Sequence, residues 1–385
     1  MDFDVVIVGG GLAGLALAVA LRDSRLTVAL VEGRPPPVPE GWDSRVYAIS
    51  PANVRFLDSI GVWRHLNAER MMPVQAMKIH GGKDSLLEFS AYDSGVSELA
   101  WIVESSLMQL ELWESAKRQA NLQLFFPARP ARLESTEAAR CLTLTDGRQV
   151  SGRLIVAADG ADSWTRSAAG IEVSFKPYDQ LGVVANFCTE KPHRGTAYQW
   201  FRPDGILAWL PLPGNRISMV WSTPDTHADE LLTLSALELG QRVSAAGGNQ
   251  LGKLELLTPA AGFPLRLMRA PRTVLPRLVL IGDAAHAIHP LSGHGINLGF
   301  QDVAALSALL NEKPAHVDCG DLALLRRHER SRKEEVLALQ GITDGLQRLF
   351  GSNLAPVVSL RTFGLNLTNH LPVVKDALVR YALAS

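Results

Sequence analysis

The sequence predicts an α/β fold: a lobe built on a parallel sheet, an antiparallel β-sheet lobe inserted into it, and a helical C-terminal segment. Three observations carry this. Val5–Val8 and Leu278–Ile281 are short continuous apolar runs, the pattern of strands buried on both faces of a parallel sheet. Each leads into glycines and then a helical stretch. Between them, from Leu181 to about Leu267, short β-rich runs are punctuated by Asp204-Gly205, Pro211 and Pro213-Gly214, as in an antiparallel sheet.

In chain order, Leu12–Arg22 carries helix-favouring Ala and Leu, and Leu26–Val31 is a second β-rich run ending at Glu32. Pro35-Pro36-Pro37-Val38-Pro39 fits neither helix nor central strand and is read as a stiff loop. Asn53–Leu66 reads as helix. Ile79–Tyr92 reads as a hairpin with Gly81-Gly82 at its turn, and Leu107–Ala120 as helix. Leu142–Thr145 and Arg153–Ala157 pair around Asp146-Gly147. A helix runs to Leu310, and from Asp321 the chain is mostly helical. The expected lobes are residues 1–75, 100–175 and 272–320 for the parallel-sheet unit, 76–99 and 176–271 for the inserted sheet, and 321–385 for the C-terminal segment.

Composition is that of an ordinary globular chain of 385 residues, 47% hydrophobic and 20% charged. A net charge of −1 supplies no field for nucleic acid, which sets that class of partner aside. Cys141, Cys188 and Cys319 form no C-x-x-C pair, which excludes a dithiol centre and a thiolate zinc site; three buried thiols in a reducing cytoplasm are expected. No run of about 20 apolar residues is present, so the chain is expected in the cytoplasm or at the surface of the inner membrane.

Gly9-Gly10-Gly11-Leu12-Ala13-Gly14 is a G-x-G-x-x-G between strand and helix, the mark of a Rossmann-type unit. Gly9 permits the tight turn, Gly11 lets a pyrophosphate approach the backbone, and Gly14 lets helix and strand pack closely. The helix N-terminus offers free N–H groups and a positive dipole end. Glu32, 18 residues after Gly14, stands where a carboxylate accepts from ribose hydroxyls and repels a 2′-phosphate. FAD or NAD fits; NADP does not. A second element decides between them. Gly282-Asp283 follows the later buried strand, and Gly293-His294-Gly295-Ile296-Asn297 follows closely. An Asp there suits a ribityl hydroxyl, and the glycine loop can aim N–H groups at the flavin edge that becomes anionic on reduction. An NAD dehydrogenase has no need of it.

With Asp159-Gly160 in Ala158–Arg166, these motifs resemble the group A flavoprotein monooxygenases, the para-hydroxybenzoate hydroxylase superfamily. Within it the sequence is most similar to the ubiquinone-biosynthesis hydroxylases. The resemblance rests on Asp43–Ser50, Trp101–Ser105, Gln109–Trp113, Arg327–Lys333, Gly345–Phe350 and Gly364–Leu367. It implies a para-hydroxybenzoate hydroxylase-like fold binding FAD, with NADH or NADPH as reductant docking without a domain of its own. It implies FAD contacts at Gly9, Gly11, Leu12, Ala13, Gly14, Glu32, Gly33, Arg34, Arg45, Gln109, Asp159, Gly160, Gly282, Asp283, Pro290, Gly293, Gly295, Ile296 and Asn297. The implied reaction is hydroxylation of an aromatic ring with O2 through a C4a-hydroperoxyflavin, on a polyprenylated phenol of ubiquinone biosynthesis. His294 stands where the family usually has Gln, and is read as a tolerated substitution.

His286 and Pro290 are the catalytic candidates, with His289 behind them. A structural hydrogen bond is an equally good reading for His286, and Pro290 is expected to fix the loop beneath the isoalloxazine. Arg45 is expected to stabilise anionic charge. Tyr198, Trp200, Phe201, Trp209 and Trp221 either roof the substrate pocket or fill a sheet core. The apolar and basic C-terminal forty residues are read as a membrane-interface contact, or as a docking segment for the Rossmann lobe or a partner assembly. A homo-oligomer stays open. Two rival functions remain: a hydroxylase of a small soluble aromatic or secondary metabolite, and a non-catalytic flavoprotein scaffold.

Overall fold

The computed structural model describes residues 2–38, 40–82, 85–287 and 295–351. The Phe3–Val8 strand is the centre of an eight-stranded sheet. It pairs in parallel with Val28–Val31 on one side and Gln149–Ala157 on the other. Leu122–Phe125 and Leu278–Leu280 extend the parallel set, and Val274–Leu275 closes one edge antiparallel. The apolar run alternates between two cores: Val5 and Ile7 join one, Val6 and Val8 the other. That is why it has no polar face.

The helices are α1 Leu12–Ala20, α2 Pro51–Ser59, α3 Ser105–Lys117, α4 Trp164–Ala168, α5 Asp225–Thr233, α6 Ala236–Ala246, α7 Gly295–Glu312 and α8 Leu322–Gly351. α1, α3, α7 and the start of α8 bury their apolar faces with Val5 and Ile7. A nine-stranded sheet forms a second layer, in the order His286–Ala287, Ala261–Arg269, Ser174–Thr189, Arg216–Pro224, Gly205–Leu212, Thr196–Arg202, Ala76–Gly82, Ser85–Ser90, with Leu254–Leu256 also on Ser174–Thr189. One pairing in it is parallel, Thr196–Arg202 with Ala76–Gly82. A three-stranded sheet of Val46–Ile49, Ala100–Glu104 and Met72–Val74 lies beside it, and Val74, Ile102, Ala197 and Leu212 of the two sheets share one apolar cluster.

Several expectations need correction. The helix expected over 53–66 stops at Ser59: the chain turns through Gly61, at φ +77°, into a short 3-10 turn at Trp63–His65. Gly81-Gly82 end a strand instead of forming the hairpin turn, because Gly82 itself pairs with Ser85; residues 83–84 lie outside the described residues. The 181–267 region is not all sheet. α5 and α6 interrupt it, and α6 opens on a capping box in which Ser235 and Glu238 satisfy each other's backbone N–H. Cys141 and Cys188 are only half-buried; Cys319 is buried, and burial pushes its thiol up to about 12.

Candidate cofactor and substrate cavity

A cavity of about 1300 Å³ runs from the Gly9–Gly14 turn to one face of the nine-stranded sheet. At its polar end the three fingerprint glycines differ in kind. Gly9 has φ +108°, and a Cβ there would meet the Ala158 carbonyl at 2.4 Å. At Gly14 a Cβ would lie 2.0 Å from the Gly9 carbonyl, whereas at Gly11 it would meet nothing within 4 Å. Two glycines thus serve packing, and Gly11 leaves open space facing the cavity. Gly11 is also the N-cap of α1 and supplies no side-chain acceptor, so the first N–H groups of α1, at Leu12 and Ala13, stand uncapped at the cavity wall.

Glu32 accepts from the Gly10 N–H at 2.5 Å and the Arg34 N–H at 2.8 Å, while Gln109 donates to the Gly10 carbonyl at 2.9 Å. The Gly10 peptide is therefore held from both sides. Gly33 and Arg34 line the same end. So does Arg129, absent from the expected set; its stem crosses Gly33, where a Cβ would meet Arg129 Cγ at 3.1 Å.

Asp159 and Gly160 line the cavity, but the Asp159 carboxylate is committed elsewhere. It accepts from the Ser163 hydroxyl, the Thr165 N–H at 2.9 Å and the Thr165 hydroxyl at 2.8 Å, capping α4. Buried Arg166 ties this loop to the next, donating to the Ala161 carbonyl at 2.9 Å and the Ala284 carbonyl at 3.0 Å.

Gly282 sits at φ +57° against Ala13, and Asp283 follows on the cavity wall. Among the described residues no group donates to the Asp283 carboxylate. Solvent reaches it through the open cavity, yet protein surrounds it on a wider radius, and this burial pushes its carboxyl above the usual range. Gly295, Ile296 and Asn297 also line the wall. The Asn297 amide accepts from the Ser50 N–H and Asn53 Nδ2, both at 3.0 Å, and donates to the Ala48 carbonyl at 2.8 Å, so it anchors the start of α2. His289, Pro290, Gly293 and His294 lie outside the described residues.

His286 requires a correction. Its imidazole does not line the cavity. It is buried and meets Asp302 Oδ2 at 2.7 Å, so the structural hydrogen bond prevails over the catalytic reading.

Arg45 reaches the cavity with its guanidinium 5.0 Å from the centre of the Phe263 ring. Its segment is held firmly. Asp43 accepts from the N–H groups of Arg45 at 2.8 Å and Ser106 at 3.0 Å, and its own N–H donates to fully buried Glu104 at 2.5 Å. Glu104 in turn takes Arg70 Nε at 2.8 Å, and Arg70 lies 4.3 Å from the Trp42 ring centre. Tyr47, which sequence reasoning passed over, lines the cavity beside Arg45, its phenol pushed up by burial.

The far end is apolar. Val184, Ala197, Ile206, Ala208, Leu210 and Val220 face it, with Gln199 and Ser222 as polar interruptions. Of the five aromatics expected as a roof, Tyr198 reaches the cavity wall, but its ring stacks on Trp200, 5.6 Å between centroids, on the core face. Trp209 and Trp221 point to the opposite face with Trp200, packed under α5 and α6. The strand period of two puts small residues toward the cavity and large rings into the core. No His, Cys, Asp and Glu cluster fit for a metal occurs among the described residues.

The family model described as "FAD binding domain" matches residues 2–334. The chain is 35% identical to a ubiquinone hydroxylase, UbiL, of Rhodospirillum rubrum, covering 99% of this chain and 90% of that protein. It is 31% identical to the 3-demethoxyubiquinol 3-hydroxylase of Escherichia coli, covering 99% and 98%. The fold is similar to that of p-nitrophenol 4-monooxygenase PnpA of Pseudomonas putida, with a TM-score of 0.81, 16% identity and coverage of 100% and 98%.

Proposed function

The chain belongs to the FAD-binding-domain family, and from that premise we propose that it is an FAD-dependent hydroxylase of a polyprenylated phenol in ubiquinone biosynthesis, using O2 and NADH or NADPH. One observation carries the reading: a single cavity joins an open glycine cradle to an apolar sheet face. The residues present fit FAD. Open space at Gly11, uncapped N–H groups on α1 and the Asp283 carboxylate, which has no donor among the described residues, match a pyrophosphate and a polyol.

When bound, FAD supplies electron transfer from the nicotinamide and the activation of oxygen. The chain does the rest. Gly11 and the α1 N-terminus hold the pyrophosphate, Glu32 accepts from the ribose, and Asp283 accepts from the ribityl chain. Arg45 stabilises negative charge. The Val184–Val220 face excludes water and seats an apolar substrate, with Gln199 and Ser222 to orient a phenol hydroxyl.

Purified holoprotein is expected to oxidise NADH or NADPH faster when a prenylated phenol is added than with a water-soluble phenol. No flavin reduction under any condition would sink the enzymatic reading. Deleting the gene and extracting lipids is expected to reveal a prenylated phenol lacking one hydroxyl. Glu32→Ala, which loses a charge-assisted acceptor, is expected to weaken FAD binding about tenfold, read by flavin fluorescence titration.

No helix among the described residues is long and apolar enough to cross a membrane. Peripheral contact with the bilayer is supported by the composition after Asn353, where Arg361, Lys375, Asp376 and Arg380 stand among many Leu and Val. Flotation of the full chain with anionic liposomes, and its loss on removal of that segment, tests the contact.

A further inference from the structure

The cavity mechanism leaves one buried ionic cluster unused. Asp302 of α7, almost fully buried, takes the Gly282 N–H at 2.9 Å and His286 Nε2 at 2.7 Å on the same oxygen, Oδ2. Its other oxygen takes Arg332 Nε of α8 at 2.8 Å, and Arg332 continues to Gln301 at 2.8 Å and to Glu335. Gly282 and His286 are the two ends of one short turn, and Asp283 lies between them. A single carboxylate therefore clasps the turn that carries the cavity's free carboxylate.

We propose that Asp302 is a positioning residue of the flavin site, which through its clasp on Gly282 and His286 sets both the place and the charge of Asp283. This rests on the reading of Asp283 as a flavin contact.

Burial alone would push the His286 imidazole down, but the Asp302 carboxylate outweighs it and raises it above the ordinary histidine range. Burial likewise works against an ionised Asp302, and His286 and Arg332 overcome it, so that its carboxyl stays well below the usual range. Asp283 thus stands near the His286 imidazole as well as Arg45. Burial raises its carboxyl, His286 and Arg45 lower it, and Asp302 raises it slightly. Among the described residues the other titratable or charged groups facing this cluster are Tyr47 on the Val46–Ile49 strand, Arg166 of α4, which donates to the Ala284 carbonyl within the turn, and His328, Glu329, Arg332 and Glu335 on α8. His328 is pushed down to about 4 by burial and stays neutral near pH 7, so it does not replace the His286 charge.

Asp302→Asn removes the anion. His286 then loses the group that favours its protonated form, and Asp283 keeps Arg45 but loses the His286 contribution, so its carboxyl protonates at a higher pH. Full-length holoprotein is diluted and FAD release is followed by flavin fluorescence between about pH 6 and 8. The wild type is expected to change less than about twofold, and Asp302→Asn to bind FAD about tenfold more weakly at the acidic end than at the basic end. His286→Gln, which keeps a donor to Asp302 but carries no charge, is expected to show the same slope and serves if Asp302→Asn does not fold. Arg332→Gln removes a partner of the other Asp302 oxygen and keeps the bonds to Gly282 and His286, and is expected to show a shallower slope than Asp302→Asn. Adding Asp283→Asn to Asp302→Asn is expected to abolish the slope. A loss equal at every pH in Asp302→Asn, or a flat His286→Gln profile, would show a merely structural cluster and overturn the proposal. Wild-type FAD retention in Asp283→Asn alone would instead overturn Asp283 as a flavin contact.

Discussion

Gly11→Trp is expected to fold and to purify without flavin. The position is unusual among the fingerprint glycines because a side chain there has somewhere to go: a Cβ meets nothing within 4 Å, and the backbone φ of −74° suits any residue. An indole grown from that point fills the space assigned to the pyrophosphate without touching the packed interface of α1. FAD affinity should fall by more than about a thousandfold, roughly 4 kcal/mol, while far-UV circular dichroism stays unchanged. Gly14→Val is the contrast. Its Cβ would lie 2.0 Å from the Gly9 carbonyl, so the strand and α1 must part and the fold itself suffers. A yellow Gly11→Trp protein would show that the pyrophosphate lies elsewhere.

Trp209→Ala is expected to cost about 2–4 kcal/mol of stability while the folded fraction keeps its flavin. Emptying the space of a fully buried indole costs about 3–5 kcal/mol. Part of this is offset, because Trp209 Nε1 is itself buried with no hydrogen-bond partner among the described residues, and removing such a donor relieves about 1 kcal/mol. The ring also accounts for Gly247, where a Cβ would come within 2.1 Å of it; Gly247→Ala should destabilise through the same contact. Urea unfolding curves measure both losses. A Trp209→Ala protein of normal stability that fails to bind substrate would return this ring to the pocket.

What the sequence disclosed follows from how local each requirement is. The Gly9–Gly14 turn was legible because its constraints act within a few residues. The buried strand at Val5–Val8 was legible because so short an apolar run without alternation, closed by glycines, suits a strand covered on both faces. The tryptophans show where legibility ends. Trp200, Trp209 and Trp221 alternate with the cavity-facing residues of their strands, so the sequence tells that they take one face but not which layer covers it. That layer is α5 and α6, and Ser235 with Glu238 three residues later was an available signal for the second of them. His286 failed for another reason: its partner Asp302 lies a helix away, and pairings across tertiary space leave no spacing rule. Asp159 stands on the cavity wall as its motif suggested, while the bonds of its carboxylate to Ser163 and Thr165 were not legible beforehand.

The central strand has a consequence for how the chain acquires its shape. Phe3–Val8 leaves the ribosome well before two of the strands in its sheet, at 149–157 and 278–280. Until they arrive it is an apolar edge with one neighbour, Val28–Val31, the kind of surface that invites wrong pairing. Such distant pairing makes for slow maturation, and nascent chains stalled before residue 149 should remain protease-sensitive. The same late strand carries the Gly282-Asp283 turn, so the cofactor's own cradle is completed only as the sheet closes, and abundant flavin during synthesis should raise the yield of native protein.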